Sequence, residues 1–106
     1  MLSTAFTLLR QHKAGAVAVY TSDDSVAVAF EMRDRRIMFR LVMPKNEDQK
    51  RRQRWRSLLL TIKAKLTSVE DGIETFEEAF LAHIVMPDGS TVGENVKPAI
   101  ASAYSH

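Results

Sequence analysis

Residues 45–66 carry two patterns at once, and together these constrain the chain more than any other segment does. Trp55, Leu58, Leu59, Ile62, Leu66 and Val69 recur at i, i+3, i+4, i+7 spacing, which predicts a helix with one buried stripe. Around that stripe the charge is strongly one-sided. Residues 45–65 hold eight Lys/Arg against two acids, a net of +6, whereas residues 66–106 hold one Lys against seven acids, a net of −6. The whole-chain charge of +2 conceals this polarity. Asn46 with Gln49 three residues on reads as a capping box, Glu47 and Asp48 suit the first turn, and Gly72 marks the C-terminal stop. The segment must therefore be a core helix and a cationic surface together.

The remaining pattern predicts a single α+β domain over residues 1–106, in the order α-β-β-β-α-α-α. Residues 2–13 suit a short helix with Leu2, Phe6 and Leu9 on one stripe, ended by Gly15. The period then changes to two. Val17 and Val19, then Val26, Val28, Phe30 and Met32, then Ile37, Phe39, Leu41 and Met43 each line one face. Ser22-Asp23-Asp24-Ser25 and Arg33-Asp34-Arg35 supply short polar turns, so the three strands read as an antiparallel meander with one buried face. The long helix and the short C-terminal helices pack on that sheet. Thr75-Phe76-Glu77-Glu78 and Thr91-Val92-Gly93-Glu94 open those short helices with further capping boxes. Pro98 kinks or restarts the last of them, which carries Val96, Ile100 and Tyr104.

Helical phase sorts the cations. At about 100° per residue, Arg52, Arg56 and Lys63 flank the buried stripe on one edge. Lys50, Arg54 and Lys65 flank it on the other edge and towards the back, and Arg51 lies near the stripe, its stem able to carry the charge outward. Arg36 and Arg40 add charge to the sheet face away from the core. Guanidiniums present planar forks of donors that match phosphate oxygens. These nine residues are the candidate contacts for nucleic acid or for a protein partner. The competing reading is a solvated face whose arginines pair with Glu70, Asp71, Glu74, Glu77, Glu78 and Glu94. The opening α-β-β-β-α order is also that of double-stranded-RNA-binding domains, an order found in unrelated folds as well.

The sequence points away from catalysis and from cofactors. His12, His83 and His106 lack metal-ligand spacing, and there is neither a nucleophile elbow nor a phosphate-binding glycine loop. His83 near Glu77 or Glu78 is the sole acid–base candidate, against a structural role. No catalytic residue, metal or cofactor is expected. The chain has no cysteine, which excludes disulfides and agrees with a cytoplasmic setting. There is no long apolar run and no secretory pattern at the start, so no membrane association is expected.

In the second half, Gln53-Arg54-Trp55-Arg56, Ile62-Lys63-Ala64-Lys65-Leu66, Val69-Glu70 and Gly72-Ile73 make a combined pattern that resembles a family of small phage and prophage proteins. They continue through Thr75–Glu78, Phe80–Val85, Pro87–Gly89, Thr91–Glu94 and Ala103-Tyr104, covering roughly residues 53–104. Arg35-Arg36-Ile37 in the hairpin region matches more loosely, and Asn95 stands where the family carries an aromatic. The resemblance implies a phage-encoded accessory protein acting in the bacterial cytoplasm, with no activity to carry over. Three functional readings follow. The chain binds nucleic acid or a host nucleoprotein complex through its basic helix. It inhibits a host defence complex in the manner of an anti-CRISPR. Or it self-associates as a homo-oligomer by matching its +6 and −6 segments.

Overall fold

The computed structural model describes residues 2–105, with side chains from Thr4 onward. The elements run α1 (Leu2–Gln11), β1 (Gly15–Thr21), β2 (Ser25–Met32), β3 (Arg35–Val42), α2 (Asp48–Glu70), α3 (Phe76–Phe80), a 3₁₀ turn (Leu81–His83) and α4 (Val92–Tyr104). The expected α+β class is the one observed. Leu2 and His106 lie outside the described side chains.

The sheet is antiparallel in the order β1-β2-β3. Register follows the hydrophobic alternation: Val28 faces Phe39 and Phe30 faces Ile37 across β2 and β3. All four side chains are buried. Arg33 and Asp34 form the two-residue β2–β3 turn with φ of 50° and 63°, the type I′ geometry that matches sheet twist. A bulge between Gly15 and Ala18 shifts the β1 register. Past β3, Ile84 bridges Ile37, and the Val85 N–H donates to the Arg36 carbonyl, so the free edge of β3 is partly covered.

Helices α1, α2 and α3 bury their apolar residues against one face of the sheet. Ala5 and Leu9 of α1, Trp55, Leu58, Ile62 and Leu66 of α2, and Phe76, Ala79 and Phe80 of α3 join the inward strand residues in one core. Each large buried side chain removes enough apolar area to contribute about 1.5–3 kcal/mol. Phe80 knits the C-terminal half to the sheet. Its ring meets Phe30 edge-on at 5.9 Å and Phe39 at 6.2 Å, and lies 5.0 Å from Phe76. The opposite sheet face carries exposed Tyr20, Glu31, Arg36, Arg40 and Val42.

Helix ends depart from the sequence reading at two places. Helix α2 begins at Asp48 with Glu47 as its uncapped N-cap, because Asn46 adopts φ 57° in the chain reversal after Pro44 and so cannot cap. Helix α1 ends through Lys13, not Gly15. Lys13 takes φ 64°, its N–H reaches the Arg10 carbonyl, and the Ala14 N–H reaches the Leu9 carbonyl. The same double bond closes α2 at Gly72, from Gly72 to Val69 and from Ile73 to Ser68. The expected boxes at Thr75 and Thr91 are both formed. Helix α4 runs unbroken through Pro98, with no restart.

Lys13 holds a left-handed conformation that glycine adopts without steric cost. Lys13→Gly is expected to raise unfolding free energy by about 0.5–1 kcal/mol, read from the urea midpoint at unchanged slope.

Candidate functional site

The nine sequence-selected cations divide by what they touch. Arg51 is half-buried, and its Nη1 donates to the Asp23 carbonyl at 2.9 Å and the Pro44 carbonyl at 3.1 Å. It ties the first turns of α2 to the β1–β2 turn and to the end of β3. Arg54 Nε donates to the Val42 carbonyl at 2.9 Å, and Lys65 Nζ donates to the Ala79 carbonyl at 2.9 Å. Lys50 pairs with Glu47 one turn back at 3.2 Å. These four charges are engaged inside the fold, three of them as donors to backbone carbonyls.

The other five are uncommitted. Among the described residues, the side chains of Arg36, Arg40, Arg52, Arg56 and Lys63 have no hydrogen bond or ion pair, and all five are exposed. The structure separates them into two groups. Arg36 and Arg40 stand on the sheet face opposite the helices. Arg52, Arg56 and Lys63 share the edge of α2 that faces α1, spanning about 17 Å along the helix axis. They border a groove of 670 Å³ whose walls include Thr4, Thr7, Leu8, Gln11, Leu59 and Leu60, with Trp55 in its lining. No acid lines it.

The acidic third of the chain does not neutralise that groove. Glu70 pairs with His12, in the turn that follows α1, and Glu77 with Arg35 at 3.5 Å. Glu78 is held by the Thr75 backbone N–H and hydroxyl, which set its carboxyl below the usual range. Glu74 accepts from Ser68, and Glu94 closes the Thr91 box. Acids do sit at the other end of α2: Asp23 and Asp48 border Lys45 and Arg51 in a separate depression. The cationic stretch of the helix surface thus starts at Arg52 rather than at the N-terminus.

His83 is not paired with Glu77 or Glu78. It stacks on Phe39 at 3.9 Å, and its proton affinity is depressed chiefly by burial, then by the nearby Lys65. A backbone hydrogen bond with Met38 works in the opposite direction, and Lys97 adds a weaker depressing effect. Among the described residues no three His, Asp or Glu cluster as metal ligands, and no helix is long and apolar enough to cross a membrane.

The α1 wall of the groove escaped the sequence reading. Thr7 and Gln11 lie four residues apart beside Leu8, a polar edge whose pairing with α2 depends on how the two helices lie on the sheet. The carbonyl partners of Arg51, Arg54 and Lys65 lie 7 to 28 residues away, so no local spacing announces them. Compared with protein-family models, curated proteins and solved structures, the chain matches none.

Arg51 and Arg52 are adjacent but serve different ends. Arg51→Met is expected to cost about 1–3 kcal/mol by leaving two carbonyls without their charged donor, while Arg52→Met stays within about 0.5 kcal/mol in the same chemical denaturation assay. Acid should also expose His83. Its folded-state affinity for protons lies below the unfolded value of about 6.5, so unfolding takes up a proton as pH falls. Unfolding free energy should therefore drop between pH 7 and pH 5, and His83→Gln should flatten that drop relative to the parent chain.

Proposed function

We propose that this chain is a binding module for nucleic acid and that Arg52, Arg56 and Lys63 contact the phosphate backbone. The observation that carries the reading is the groove edge they share. Among the described residues its three cations have no internal partner and no acid lines the groove. A charge run that merely stabilised the helix would find carboxylates nearby. The seven acids of residues 66–106 are instead spread over other parts of the surface, several in caps and pairs of their own.

The contact is to backbone rather than to base edges. Cations strung along one helix edge fix register on a phosphate chain but carry no donor–acceptor code. Arg36 and Arg40, on the other face, add to the long-range field. Duplex RNA is the first ligand to test, since the α1-β1-β2-β3-α2 order is shared with domains that read duplex shape. The resemblance of residues 53–104 to small phage and prophage proteins supports an accessory role in a bacterial host, through binding rather than catalysis.

Fluorescence anisotropy with labelled duplex RNA, duplex DNA and single strands across a salt series tests the reading. Affinity is expected to fall with a log–log slope of about −0.9 per phosphate neutralised on a duplex. The Arg52→Gln/Arg56→Gln/Lys63→Gln variant should be shallower by about 3 and no less stable. Absence of binding at low salt, or an unchanged slope in the variant, would contradict it.

A further inference from the structure

The α1–α2 groove holds two chemistries, and phosphate contacts use only one of them. Arg52, Arg56 and Lys63 make one edge cationic, but much of the lining is apolar. Leu8 and Leu59 are half-buried there, Leu60 stays 59% exposed, and Trp55 joins them. A phosphate chain resting on the cationic edge gains nothing from these side chains, because pressing its oxygens against leucine strips their water and returns no hydrogen bond. A single exposed leucine is ordinary. Leucines gathered in a concave site beside uncommitted cations call for a ligand with an apolar part.

The opposite wall supplies a third element. Thr4, Thr7 and Gln11 recur at helical spacing on the side of α1 that lines the groove, with Leu8 beside them. The Thr7 hydroxyl and the Gln11 carboxamide each offer both a donor and an acceptor. At 670 Å³ the groove has the size of a small-molecule site. A duplex can rest only its phosphate ridge on such a rim. A single nucleotide can enter.

We infer that the groove takes the base of one unpaired nucleotide, while Arg52 and Arg56 hold the phosphates on either side of it. The inference rests on the phosphate-binding reading and names the part of the ligand that phosphate contacts leave unread. Arg52 and Arg56 stand one turn apart, about 6 Å along the axis, so one strand runs along the rim and turns a single base inward. The faces of that base pack on Leu8, Leu59 and Leu60, as any base does on an apolar or aromatic surface. Its edge meets Thr7 and Gln11, which read donors and acceptors. A purely aliphatic ligand would leave the cations unused, and the apolar face of a peptide helix would leave Thr7 and Gln11 without polar partners. Paired bases face each other inside the duplex, so the ligand comes from a bulge, a loop or an end.

The test is fluorescence anisotropy at low salt with three labelled RNA hairpins matched in phosphate number. One is fully paired, one carries a single-nucleotide bulge, and in the third the bulged nucleotide lacks its base. The bulged hairpin is expected to bind about tenfold or more tighter than the paired one, and the abasic bulge should lose that gain. Emission from Trp55, the single tryptophan of the chain, should change with the bulged hairpin and not with the abasic one. Leu60→Gln, at an exposed position that leaves circular dichroism unchanged, should bring the bulged hairpin down to the affinity of the paired one. Equal affinity for paired and bulged hairpins overturns the inference and leaves the phosphate-binding proposal standing. So does an abasic bulge that binds as well as the complete one, or a bulge preference untouched by Leu60→Gln. A chain that binds none of the three overturns both.

Discussion

Everything else in this structure depends on the seating of α2 against the inner face of the sheet. Trp55, Leu58, Ile62 and Leu66 enter the core together, one or two turns apart. That single stripe fixes the rotation of a 23-residue helix about its own axis. Once rotation is fixed, the destination of every charge on the helix is fixed too. Arg52, Arg56 and Lys63 face α1, while Lys50, Arg54 and Lys65 face the other way. A shift of one residue in the stripe would turn the helix by about 100° and bury part of the cationic edge, at a large desolvation cost.

The same seating divides the cations into two kinds. Arg51, Arg54 and Lys65 lie at the margins of the buried stripe, where backbone carbonyls from Asp23, Pro44, Val42 and Ala79 end without a partner of their own kind. A long cationic side chain meets such a carbonyl while keeping part of its head wet. Farther round the helix Arg52, Arg56 and Lys63 make no hydrogen bond or ion pair among the described residues and are left to solvent. Net charge along the sequence does not distinguish these two roles. The distance of each side chain from the edge of the core does.

Much of the fold was legible in the sequence for local reasons. Alternation gave β2 and β3 with their faces, because one side of the sheet is buried and register has a unique solution. Thr75 and Thr91 announced their helices through a four-residue box, and Gly72 announced its stop. What was hidden depends on contacts distant in the chain. Asn46 has the chemistry of an N-cap, yet the reversal after Pro44 places it at φ 57° and Glu47 takes the position. The cationic candidates were visible by type, but their division required knowing which carbonyls lie beside them. The exposure of Val96, Ile100 and Tyr104 on α4 was likewise hidden, since an apolar stripe reads the same whether or not it meets the core.

The most direct measurement of the central claim is a residue-resolved NMR titration of the labelled protein with duplex RNA at low salt. Shifts should concentrate at Arg52, Arg56 and Lys63 and at Thr7 and Gln11 across the groove. Asp23, Asp24, Glu77 and Glu78 should stay where they are. Perturbations centred on residues 66–106, or none anywhere on α2, would contradict the account.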